Sequence, residues 1–185
     1  MTDTFVENYD RADDADPIVR LLWIGGRPHP GFVKRAGFRT LVFCAAERQP
    51  SAREFPGLDI LRCAIHDADG LTRDEAAKVL HCADEIKATV DEGEKVLVTC
   101  NQGANRSALL AAVALYGTRE PGEIIALIRR KRRPARREGQ RIRPLTNLSF
   151  VDFIMEDLPK VHALFWDAYY RRHRFVWPKG LVAVR

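Results

Sequence analysis

Residues 95–118 constrain the fold more than any other part of the chain. KVLVTC (95–100) is a strongly apolar run of strand length, and RSALLAAVALYGT (106–118) is a helical stretch that is apolar almost all round. A helix without a polar face has to be buried near the centre of a domain. Only a short loop joins the two, so a buried strand feeds directly into a buried helix.

Neighbouring segments repeat that alternation. VRLLWIG (19–25), RTLVFCAAE (39–47) and LDILRCAI (58–65) read as strands, and 39–47 is apolar on both faces, as parallel strands are. HPGFVKRAG predicts a short helix closed by Gly37. A long helix is expected from Thr72 to Asp91: Thr72 and Glu75 have capping-box spacing, and Ala76, Leu80, Ala83, Ile86 and Val90 recur at helical steps before Gly93. Pro121 opens another helix, PGEIIALIRRKRR, which should stop before Pro134. LSFVDFIMEDL and VHALFWDAYYRRH read as two helical segments broken near Pro159. The final FVWPKGLVAVR is apolar and would pack on the domain or serve a partner. Strands alternating with helices imply an α/β fold with a central, mainly parallel sheet of about four to five strands flanked by helices.

At 185 residues, 46% apolar and 30% charged, the chain has the size and composition of one globular domain. No run approaches the roughly 20 apolar residues of a membrane span. The N-terminal MTDTFVENYDRADDAD lacks the basic and apolar regions of a secretory signal, so a cytoplasmic location is expected. The chain divides on this reading into an acidic tail, 1–16, and a single domain, 17–185. Cys44, Cys63, Cys82 and Cys100 form no C-x-x-C pair, and His29, His66, His81, His162 and His173 have no metal-ligand spacing. Neither a metal nor another cofactor is called for. Trp23, Trp166 and Trp177 read as packing residues.

Net charge is +5, unevenly spread. Residues 1–16 hold six acids and one base, whereas RRKRRPARREGQRIR (129–143) holds nine bases and one acid. Such a block attracts polyanions, although a solvated loop explains it equally well. It contains no aromatic residue for base stacking, which makes nucleic acid the less favoured partner.

The chemistry concentrates in Cys100-Asn101-Gln102-Gly103-Ala104-Asn105-Arg106-Ser107. A loop this short between a strand and a helix can turn its backbone N–H groups toward one point, with Gly103 supplying conformational freedom. The helix N-terminus adds positive potential there, and Arg106 can clamp two oxygens of a phosphate-sized anion. The same field favours a thiolate, so Cys100 is expected to be the nucleophile, and Ser107 can hydrogen-bond its sulfur. Asn101, Gln102, Gly103, Ala104, Asn105 and Arg106 are the expected phosphate-binding residues.

Cys100–Ser107 matches C-x-x-G-x-x-R-S, and the chain here resembles the dual-specificity branch of the protein tyrosine phosphatase superfamily. LLWIGG, RTLVFCAAE, CAIHDAD, IIALIRRKRRP and the Asn147–Phe150 stretch extend the resemblance over most of the chain. It implies a three-layer αβα fold and hydrolysis of phosphate monoesters through a cysteinyl-phosphate, most naturally phosphotyrosine, and also phosphoserine or phosphothreonine, in a protein substrate. It implies a general-acid aspartate upstream, for which Asp67 is preferred and Asp69 held in reserve. His66, beside Asp67, is a weaker candidate for tuning it.

Thr99 stands where the family usually has histidine, and its hydroxyl could still bond within the loop. Cys44, followed by Ala-Ala-Glu-Arg, resembles a cysteine that pairs reversibly with the nucleophile in lipid-phosphatase relatives. The loop lacks the lysines of inositide phosphatases, whereas Gly-Ala-Asn-Arg resembles RNA triphosphatases. Alternative readings are therefore a phosphoinositide or RNA 5′-triphosphate phosphatase, or a phosphate-binding pseudophosphatase.

Overall fold

In the computed structural model, residues 14–137, 140–162 and 164 are described. Five strands form one sheet: β1 (Ala15–Pro17), β2 (Leu22–Gly25), β3 (Thr40–Ala45), β4 (Asp59–Ile65) and β5 (Val96–Thr99). Their spatial order is β1-β2-β5-β3-β4. β2, β5, β3 and β4 run parallel, and β1 pairs antiparallel with β2 at one edge. β5, in the middle, is the apolar run that the sequence singled out, and all four of its residues are buried.

Alternation along the strands divides the core in two. Val96, Val98 and Val42 face the larger cluster, whereas Leu97, Leu41 and Phe43 face the smaller. Over the larger face lie α2 (Arg73–Asp91), α3 (Arg106–Leu115), α4 (Pro121–Lys131) and α5 (Leu148–Asp152). α3 is the innermost, and every one of its residues is buried, as a surface apolar from Ala108 to Leu115 requires. The other face is covered by α1 (Pro30–Arg35) and a short 3-10 turn, Ala52–Glu54, whose surroundings supply Val33, Phe38 and Phe55. Trp23 packs there edge-on to Phe38 at 5.6 Å, with the Lys95 ammonium 4.6 Å from its ring centre. The chain is thus an α/β protein with helices on both faces of a five-stranded, mainly parallel sheet.

Three sequence expectations need correction. The acidic tail was expected to run to residue 16, yet residues 15–17 form β1, and Asp14 and Asp16 bind Arg132; residues 1–13 lie outside the described set. The helix beginning at Leu148 is not broken near Pro159. It passes through a π-helical segment, Phe153–Asp157, and stays helical to residue 162. The wider turn lies just ahead of the proline, whose ring crowds the carbonyl four residues earlier and whose nitrogen has no proton to donate. The basic stretch 129–143 is not simply a solvated loop. Arg129–Lys131 close α4, Arg132 is buried, and β6 (Ala135–Arg137) pairs antiparallel with β7 (Gln140–Ile142). His173, Trp166, Trp177 and the apolar C-terminus lie outside the described residues.

No helix among the described residues is long and apolar enough to cross a membrane.

Candidate active site

β5 delivers Cys100 to the carboxyl end of the sheet, where crevices of open α/β sheets lie. Its N–H continues the pairing by donating to Gly25 O at 3.3 Å. The chain then turns through 101–105 and enters α3 at Arg106. Gly103 makes that turn possible: its φ is 65°, and a Cβ there would stand 2.5 Å from the Gly25 carbonyl carbon. The Gly103 N–H donates to Cys100 Sγ at 3.2 Å, and Ser107 Oγ is in hydrogen-bond contact with the same sulfur at 3.3 Å. The Gly103 N–H thus puts a donor on the sulfur, and Cys100 is only 7% exposed. The Thr99 hydroxyl does not bond within the loop; it donates to Val42 O at 2.8 Å and ties β5 to β3.

Arg106 is 5% exposed and points back across the loop. Its Nη1 donates to Glu47 Oε2 at 2.5 Å, and its Nε lies 3.9 Å from Asp67 Oδ2, beyond hydrogen-bond reach. That Nε is buried without an acceptor among the described residues. Burial alone would lower the guanidinium pKa, but the Glu47 hydrogen bond and the charges of Cys100, Glu47 and Asp67 outweigh it and raise it. The Arg106 bond in turn holds the Glu47 carboxyl below its usual range. Glu47 also accepts from Asn101 Nδ2, so one carboxylate braces both the arginine and the start of the loop. Glu47 was visible in the sequence only as the context of Cys44. Its pairing with Arg106 spans 59 residues and left no local signal.

Asp67 comes to the same place from the end of β4. Asn105 Nδ2 lies 3.2 Å from Asp67 Oδ2, and Asn147 Nδ2 donates to Asp67 Oδ1 at 3.0 Å and Ala68 O at 2.9 Å. Asn105 Oδ1 accepts from the N–H groups of Thr146 and Asn147 at 3.0 and 3.2 Å. The asparagine that caps α3 thereby joins the loop to residues 145–147 instead of to its own helix. Leu145 holds that junction with a left-handed φ of 57°, its N–H on Ala104 O at 3.0 Å and its carbonyl receiving Arg129 Nη2 at 2.8 Å. Asp69 is exposed and stands outside these contacts. The structure therefore brings Cys100, Arg106, Ser107, Asn105 and Asp67 together, and does not bring Asp69 to them. Asn147 was not foreseen as a site residue.

The loop carrying Asp67 is anchored by Glu75. Glu75 Oε1 accepts from the His66 N–H at 2.9 Å and contacts His66 Nδ1 at 2.8 Å, while Oε2 accepts from Thr72 N at 3.0 Å. Thr72 Oγ1 accepts from Glu75 N at 3.2 Å, completing the expected capping box. His66 thus joins Glu75 through both its backbone N–H and its ring. Burial would push the Glu75 carboxyl up, but the donors from Thr72 and His66 prevail and bring it down to about 2 from 4.5.

A carboxyl depressed on folding contributes stability that is present above its unfolded value and is lost as pH falls toward the folded one. Urea unfolding measured from pH 5 to pH 2 should therefore show wild-type stability falling more steeply than that of Glu75→Gln. The variant should already be weaker at pH 6 by about 2 kcal/mol. Parallel curves would remove Glu75 as the anchor.

Cys44 lies on β3 next to the position where Phe43 pairs with Thr99, so it neighbours Cys100 across the strand pair. Both line one small cavity with Arg27, Arg48 and Asn101. Burial, first among several influences, pushes the Cys44 thiol up. Cys63 and Cys82 are buried free thiols. No group of three or more potential metal ligands occurs among the described residues.

No protein-family model matches the chain, and no curated protein matches it by sequence. Solved structures do match it. Tk-PTP in its active form superposes with a TM-score of 0.64 at 21% identity, over 80% of this chain and 97% of that one. Human DUSP28 gives 0.61 at 20% identity, over 79% and 95%. Human tyrosine phosphatase-like serine/threonine/tyrosine-interacting protein gives 0.59 at 16%, over 82% and 97%. At such identities the likeness concerns architecture, and it spans nearly the whole of each of those chains. The chain has the fold of the dual-specificity and tyrosine phosphatases.

Proposed function

We propose that the protein is a cysteine-dependent phosphatase acting on phosphate monoesters, with phosphotyrosine in proteins as the preferred substrate and phosphoserine or phosphothreonine as further ones. The observation that carries this reading is the pairing of a buried Cys100 sulfur, hydrogen-bonded by Gly103, with a buried Arg106 whose Nε has no acceptor among the described residues. A dianionic phosphate would meet both needs.

In the first step the Cys100 thiolate attacks phosphorus, the bond to the leaving oxygen breaks, and protonated Asp67 gives that oxygen its proton. Arg106 and the loop N–H groups hold the phosphoryl oxygens, whose charge grows in the transition state. In the second step Asp67 takes a proton from water, the water oxygen attacks phosphorus, and the sulfur–phosphorus bond breaks. Ser107 then donates to the departing thiolate. Asn105 and Asn147 keep Asp67 over the loop throughout.

The test is turnover of an aryl phosphate, followed by a panel of phosphopeptides, inositides and RNA with a 5′-triphosphate. Phosphotyrosine peptides should lead the panel. A second reading, the RNA 5′-triphosphate, draws on the exposed Arg130, Lys131, Arg141 and Arg143, which follow the chain toward the 145–147 junction. Preference for the RNA would replace the first reading with the second. Phosphate binding without turnover of any substrate would make the protein a binding module.

The site has a further expected property. Peroxide would oxidise the Cys100 thiolate to a sulfenic acid, and the Cys44 thiol would displace water from it to leave a disulfide. Peptide mapping of peroxide-treated protein should recover linked Cys44 and Cys100 peptides. Recovery of Cys100 as a sulfinic acid with Cys44 still reduced would reject the pair.

A further inference from the structure

Arg132 is the most deeply buried charged side chain among the described residues, at 1% exposure, and the catalytic steps above do not use it. It leaves the C-terminal end of α4 and runs beneath the loop. Its Nε donates to Gly103 O at 2.9 Å and its Nη2 to Gln102 O at 3.1 Å. The remaining donors go to β1 and its approach: Nη1 to Asp16 Oδ2 at 2.8 Å and Nη2 to Asp14 Oδ1 at 2.9 Å. Asp16 is itself 7% exposed and also accepts from the Arg133 backbone N–H at 2.9 Å.

The two carbonyls belong to the peptide units that carry the N–H groups of Gly103 and Ala104. In a trans peptide the C=O and N–H point in opposite directions. Drawing Gln102 O and Gly103 O outward onto a cation therefore aims those two N–H groups inward, and the Gly103 N–H does meet Cys100 Sγ. A charge-assisted bond to a carbonyl also polarises its peptide and strengthens the N–H at the other end. The positive charge of Arg132 is itself neutralised by Asp14 and Asp16, so it acts by orientation more than by adding potential to the loop.

We infer that Arg132 is a positioning residue for oxyanion binding, a strut clamped by Asp14 and Asp16 that sets the inward N–H groups of the 100–107 loop. This rests on the reading of that loop as a phosphate cradle. Lysine has one ammonium and cannot reproduce a planar fork that reaches two carbonyls and two carboxylates.

The test compares wild type, Arg132→Lys and Asp16→Asn by titration calorimetry with inorganic phosphate and by aryl phosphate kinetics. All measurements are made well below each variant's unfolding temperature. Arg132→Lys should weaken phosphate on the order of tenfold to a hundredfold, with KM raised and kcat lowered. Asp16→Asn should weaken it less and in the same direction. A residue needed only for stability would shift the unfolding temperature and leave the phosphate affinity of folded protein unchanged; that result overturns the inference. If Arg132→Lys fails to fold, unchanged phosphate affinity in Asp16→Asn does the same. Wild type that binds phosphate without turnover sinks the enzyme reading alone, and wild type that does not bind phosphate sinks both.

Discussion

Cys100→Ser should lower kcat on an aryl phosphate by roughly 10⁴-fold or more, because no other group can form the covalent intermediate. A serine hydroxyl at this position is neutral at the pH where a thiolate attacks, and in the proposed mechanism Asp67 serves the leaving oxygen and not the nucleophile. Phosphate binding should survive the change. Arg106, the loop N–H groups and the helix N-terminus are untouched, and a charged sulfur that would repel the ligand is gone. The check is a paired measurement of steady-state turnover and phosphate affinity on the same preparation. Turnover matching wild type would end the proposal of a phosphocysteine, whatever else the protein hydrolyses.

Asp67→Asn is expected to cost about 10²- to 10⁴-fold in kcat on substrates whose leaving group needs a proton. It should cost far less on aryl phosphates with very acidic phenols, which depart without help. Asparagine keeps an oxygen for the Asn105 and Asn147 donors, so the loop should hold its place and KM should change little. Asp69→Asn should behave as wild type, since Asp69 is exposed and outside the contacts that gather the site. A collapse in Asp69→Asn with Asp67→Asn unaffected would transfer the acid role and require the 66–71 loop to move before catalysis.

What could be seen in the sequence was what local spacing encodes. Thr72 and Glu75 are three residues apart, and both halves of the box form. The apolar periods of 95–100 and 106–118 located the central strand and the buried helix, and the loop between them followed from chain order. The parts that escaped are contacts between residues far apart in the chain. Glu47 reaches Arg106 across 59 residues, Asn147 reaches Asp67 across 80, and Arg132 reaches Gly103 across 29. None of these pairs has a spacing that a helix or strand would repeat. A buried arginine was hidden further by its company, because Arg132 looks like its eight basic neighbours in 129–143 until the fold turns it inward. The same holds for the acidic N-terminus, where nothing in the local sequence sets Asp14 and Asp16, the partners of Arg132, apart from the other acids.

The ties from Asp16 to Arg132 close a loop of 116 residues. During synthesis, the segment 100–107 emerges ahead of α4, and the end of α4 must then return to β1, a strand made much earlier. Contacts of such long sequence separation form late, after the entropy of closing the chain has been met. A nascent chain that already displays Cys100 therefore has no brace behind it until Arg132 has been made and α4 has come back against β1.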